Sequence, residues 1–178
     1  MGYSYQKIIE SDTTPTLEDG NLWVKDGIVY VPNTTLSAWV EQSPSSFLSI
    51  ATSLAATGAA LDVEALPGTH TSLVVQNLTI LGEVGTAHSD SLFYTGTVQY
   101  SVDGAASTAL STVAGVSVDT KLWTTVDVMS RSVDSGEALI STVSPISRLL
   151  ITMTKTSTAA NISSFLCGLD VKRAIVVA

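Results

Sequence analysis

The chain has 178 residues; 45% are hydrophobic and only 13% charged, with 16 acids against 8 bases and a net charge of −8. That balance argues against a nucleic-acid binder, which needs clustered lysine and arginine to displace counterions from phosphates. One cysteine excludes an intrachain disulfide and a cysteine-rich zinc site, and no run approaches the roughly 18 apolar residues of a membrane-spanning helix.

The opening Met1-Gly2-Tyr3-Ser4-Tyr5-Gln6-Lys7 carries a single base and no apolar stretch, so it does not read as a secretory signal. Polarity comes from hydroxyls, 24 Ser and 23 Thr. With valine and isoleucine, the β-branched threonines favour pleated strands over helices.

The first element is Asn21-Leu22-Trp23-Val24-Lys25-Asp26-Gly27-Ile28-Val29-Tyr30-Val31-Pro32. Two alternating runs flank Asp-Gly, the dipeptide that tolerates positive φ at both centres of a hairpin turn. Pro32 is expected to end the second strand, since it has no N–H for the ladder. Residues 33 to 46 contain Trp39 and the breaker Ser43-Pro44, and read as a helical turn or loop.

Phe47 to Ala56 has two readings. One is an amphipathic helix started by Ser43-Pro44 and ended at Gly58. The other, preferred because the rest of the chain alternates, is a strand through Leu48, Ile50, Thr52 and Leu54. A turn at Thr57-Gly58 then leads into a strand Ala60 to Glu64.

Strands are expected at Ser72 to Leu81 and from Leu92 to Val102, the latter turning at Asp103-Gly104. Thr108 to Val118 reads as a strand pair or one bent strand. Leu122 to Met129 is a further strand, with Ser135-Gly136 following as a turn. Arg148 to Lys155 and Ile162 to Val171 close the series. Strands near ten residues apart, with no crossover helices, describe an all-β antiparallel sandwich or barrel. A compositional boundary near residue 45 divides an N-terminal arm with its own hairpin, 1 to 45, from a β-sandwich, 46 to 178.

Catalytic groupings are not found. His70 and His88 sit singly in loops without metal-ligand spacing. Gly115-Val116-Ser117-Val118-Asp119 lacks the second glycine of a nucleophile turn. Cys167 falls on an apolar alternating face with Phe165 and Leu169, as a buried small hydrophobe would. The carboxylates stand singly beside turns, where Asp caps backbone. No enzyme, cofactor or metal site is expected.

Trp23, Trp39 and Trp123 suit a sugar-stacking platform or a core, and with 11 aromatics in all the core is favoured. Trp23, Tyr30, Trp39, Arg131 and Arg148 are the candidate interface residues. For the two arginines a solvated turn position is the simpler reading.

Four segments carry a family likeness: Ala51-Thr52-Ser53 with Gly58 and Ala60-Leu61-Asp62-Val63; Thr97-Val98-Gln99-Tyr100-Ser101-Val102-Asp103-Gly104; Ser147-Arg148-Leu149-Leu150-Ile151-Thr152-Met153-Thr154; and Ser164-Phe165-Leu166-Cys167-Gly168. Together, from Phe47 to Arg173, they resemble the small jelly-roll decoration (cement) proteins of tailed bacteriophages. The resemblance implies a jelly-roll sandwich and a non-enzymatic virion protein on the outer capsid surface. It further implies bridging of neighbouring shell subunits, with the major capsid protein and copies of itself as partners in a homo-oligomer. Neither nucleic acid nor membrane would be a partner. The alternative is a carbohydrate-binding sandwich of a tail fibre or adhesin.

Overall fold

The computed structural model describes residues 7–42, 46–54, 59–64, 70–84, 94–102, 111–119, 130–155 and 162–177. Twelve strands and no helix occur among them: β1 Lys7–Glu10, β2 Asn21–Lys25, β3 Ile28–Asn33, β4 Ala38–Glu41, β5 Ser46–Leu54, β6 Ala59–Glu64, β7 Ser72–Val84, β8 Tyr94–Val102, β9 Ser111–Asp119, β10 Ser130–Ser141, β11 Ile146–Lys155 and β12 Ile162–Val176.

Strands β5, β12, β7 and β10 lie side by side, and a second sheet runs β6-β11-β8-β9. Eight strands in two layers, with the last strand inserted between the first and third, make a jelly roll, as two Greek keys produce. The core between the layers holds Leu73, Val75, Leu78 and Ile80 of β7, Leu149 and Ile151 of β11, and Cys167, Leu169 and Val171 of β12. Val98, Val113, Val116, Val118, Ile140 and Ile146 belong to it as well.

On β7 the inward residues step from Val75 to Leu78, three positions rather than two, and a bulge makes this possible. Asn77 has φ 55°, and its Nδ2 donates to Asp170 Oδ2 at 2.8 Å. The β7 ladder shifts at this level against β10, between Asp134 and Glu137, and against β12, between Gly168 and Asp170. A bulge re-aims the side chains that follow it, so both halves of β7 face the core.

β12 is the shared element. Its first part, to Val171, pairs with β5 on one edge. Further along, Ala174, Ile175 and Val176 pair with Val40, Trp39 and Ala38 of β4. The sheet thus continues outward through β4, β3, β2 and β1. All its pairs are antiparallel except β1 with β2, which is parallel.

The expected hairpin is present. Asp26 and Gly27 have φ of 52° and 76°, joining Lys25 to Ile28 in register. Three local expectations change. Pro32 does not end β3, which runs to Asn33, with Pro32 opposite Trp39. Residues 38–41 are a strand rather than a helical turn, held between β3 and β12. Ser135-Gly136 is not a turn but a bulge inside β10. Residues 47–54 and 59–64 are strands, the reading preferred over a helix, and 111–119 is a single strand. The expected strand at 122–129, the turn at Asp103-Gly104 and the turn at Thr57-Gly58 lie outside the described residues.

Candidate functional site

Chemically capable side chains gather where the outer strands meet the jelly roll. The β2–β3 hairpin supplies Lys25, Asp26, Ile28 and Tyr30 to a cleft of about 560 Å³, whose opposite wall is His70, Ser72 and Arg173. Glu41, at the end of β4, lies behind this wall against Arg173. The Arg173 backbone N–H donates to Glu41 Oε2 at 3.3 Å, and the Arg173 Nε lies 3.9 Å from the same oxygen. Arg173 is 42% exposed and Glu41 13%, so the guanidinium faces water over a largely covered carboxylate.

Two groups in the cleft have shifted titrations. Burial pushes the Tyr30 phenol up, helped by the Glu41 and Asp26 charges and opposed by Arg173. Burial pushes His70 down, as does Arg173, while Glu41 pulls it back up. Both shifts favour the uncharged form, so Tyr30 and His70 remain neutral in a cleft where Lys25 and Arg173 face Asp26 and Glu41. Balanced charges of this kind make a seam between two parts of a sheet. Among the described residues, no three of His, Cys, Asp and Glu are grouped to hold a metal ion.

Beneath the seam lies a second small core. Trp23, Tyr30 and Trp39 are buried together with Ile9, Leu17, Ile28, Ile175 and Val177 packed around them. The Trp23 ring centroid is 5.3 Å from Tyr30 and 5.8 Å from Trp39, edge to face. Each indole N–H is satisfied by the segment between β1 and β2. Trp23 Nε1 donates to the Ser11 carbonyl at 2.8 Å, and Trp39 Nε1 to that of Pro15 at 3.0 Å. The rings therefore fasten residues 11–20 onto the sheet.

Three of the candidate interface residues lie in this core. Trp23 and Trp39 are 0% exposed and Tyr30 5%, so their rings serve the chain's own packing, with Tyr30 also reaching the cleft wall. Arg131 stands on β10 opposite Leu81, and Arg148 on β11 between Glu64 and Ser101; their side chains lie outside the described residues, as do His88 and Trp123. The Glu41–Arg173 contact was not anticipated. The two residues are 132 positions apart, and only the β4–β12 ladder brings them together.

No family model matches the chain, and no curated protein matches it. Solved structures with some likeness include three from infectious bursal disease virus. The Gx strain structure has 15% identity over 74% of this chain and 31% of that one, with a TM-score of 0.38. The Gt strain structure has 14% identity over 82% and 42%, TM-score 0.34. The VP2 subviral particle has 12% identity over 84% and 42%, TM-score 0.38. The chain spans less than half the length of each.

Proposed function

We propose that this chain is a non-enzymatic structural protein of a virion, acting by the surface it buries against its neighbours. The observation that carries the reading is the strand order, β5-β12-β7-β10 over β6-β11-β8-β9, the double-sheet arrangement that viral shell subunits use. The finer reading is a decoration or cement protein on the outer face of a bacteriophage capsid. There residues 46 to 178 form the body, and residues 1 to 45 the docking part. The partners are the major capsid protein and further copies of this chain.

The charge supports an outside position. A protein of net charge −8 is repelled by packaged nucleic acid. A surface poor in ions and rich in hydroxyls also loses little on desolvation when it enters an interface. Lectins share the jelly roll; a sugar-binding role is favoured by exposed rings, and among the described residues Trp23 and Trp39 are buried.

The test is immunogold labelling of purified particles from the source of this chain, using antibody raised against it, with mass spectrometry of the same particles. Label on the outer shell surface is expected. Particles that lack the chain, or carry it only on the tail, overturn the decoration reading. Deleting residues 1 to 45 is a poor test, because it strips β4 from Ala174–Val176 and exposes Ile175.

A further inference from the structure

The outermost strand of the larger sheet, β1, is paired with β2 on one side only; among the described residues no strand meets its other edge. An open edge presents unpaired N–H and C=O groups, and proteins usually blunt such edges. This one carries Ile8, 64% exposed, between Lys7 and Ile9, with no proline.

Beside the edge lies a pocket of about 250 Å³, lined by Lys7 and Ile9 of β1, Pro15, Thr16 and Glu18 of the following segment, and Asn21 of β2. Alternation puts Lys7 and Ile9 on one face of β1, so the pocket opens on that face, where alternate side chains of an added strand would project. Its walls are apolar at Ile9 and Pro15. Its carboxylate is Glu18, positioned by Asn21 Nδ2, which donates to Glu18 Oε2 at 3.0 Å. Glu10 at the end of β1 is exposed, as are Asp12 and Asp19 in the segment that follows. Residues 7–19 thus carry four acids against Lys7, which gives this side of the sheet a negative field.

We propose that β1 accepts an extended, lysine- or arginine-bearing segment of a partner polypeptide as an additional strand. Backbone hydrogen bonds along Lys7–Glu10 hold it. One basic side chain lays its methylenes on Ile9 and Pro15 and brings its charge to Glu18. A second copy of this chain is a poorer occupant. Its own edge is acidic too, so self-pairing would set like charges opposite one another. The inference does not depend on the virion reading.

The full chain is titrated with a short peptide of alternating valine and lysine, and separately with its valine–glutamate counterpart. Backbone amide exchange is followed at residues 7 to 10. Protection by the basic peptide and none by the acidic one is expected. Glu18→Gln, which keeps an acceptor for Asn21, should weaken the basic peptide about fivefold, the upper range for one partly exposed ion pair. Protection by both peptides, or by neither, overturns the proposal. So does an unchanged affinity in Glu18→Gln, or protection that rises with protein concentration alone, which would assign the edge to a second copy.

Discussion

Asp134 clasps the two layers of the jelly roll at one open side, and its removal gives the sharpest test of how they are held. It lies on β10, in the first sheet, at the bulge. Its Oδ2 accepts from the Ser117 N–H of β9, in the second sheet, at 2.7 Å, and its Oδ1 from the Gly136 N–H at 2.8 Å. A hydrogen bond to a charged acceptor is worth about 1.5–3 kcal/mol. The Ser117 bond is solvent-exposed and the Gly136 bond partly buried, so we assign about 1 and about 1–2 kcal/mol. Asp134→Ala should then cost about 2–3 kcal/mol, or about 4–12 °C in Tm at this chain length. Gly136→Ala attacks the same contact sterically, because a Cβ there collides with the Gly115 carbonyl oxygen. If both act by parting β9 from β10, the double variant loses less than the sum. Guanidinium unfolding followed by circular dichroism measures all three. An Asp134→Ala variant melting within about 1 °C of the parent refutes the clasp, and strict additivity refutes the shared mechanism.

Leu78 is fully buried on the realigned half of β7, so Leu78→Ala should cost about 2–5 kcal/mol in the same unfolding assay. Trp39→Phe removes the N–H held by the Pro15 carbonyl; a loss of about 1–2 kcal/mol, with faster proteolysis between residues 11 and 20, is expected. His70 has its pKa lowered chiefly by burial, so the folded state binds protons less readily than the unfolded chain. Stability should therefore fall as pH drops from about 6.5 through the lowered folded value, and His70→Gln should flatten that part of the profile. Tyr30 is shifted the other way, again chiefly by burial, so its absorbance titration should lag the exposed tyrosines. Stability from that group is present below about pH 10 and lost as pH rises through the folded value.

What could be read from sequence follows from how local each cause is. The β2–β3 hairpin was readable because Asp26 and Gly27 themselves supply the positive φ. The strands of the jelly roll were readable from alternation, which burial imposes residue by residue. The bulge at Ser135-Gly136 misled because glycine beside serine looks like a turn. What makes it a bulge is the Asp134 carboxylate and the backbone of β9, distant in sequence. β4 was missed for the same reason: four residues, Ala38–Glu41, are a strand only because β3 and the end of β12 flank them. The cleft was unreadable, since His70, Glu41 and Arg173 come from three strands or loops whose meeting no spacing announces.

The position of β12 gives these local facts a mechanical consequence. Its first part pairs with both β5 and β7 inside the jelly roll, and its last three paired residues carry the outer strands through β4. A load on the edge of β1 passes through β2, β3 and β4 to Ala174–Val176, and so to the strand at the centre of the jelly roll. On that path the Glu41–Arg173 contact and the fastening of residues 11–20 by Trp23 and Trp39 resist peeling at two separate levels. A second contact face stiffens the same connection. Ala38, Val40 and Ala174 pack with Val74 of β7 and Leu139 of β10, and Asn33 Nδ2 donates to Glu137 Oε2 at 3.1 Å. Outer strands gripped on both faces transmit force to the jelly roll instead of swinging free.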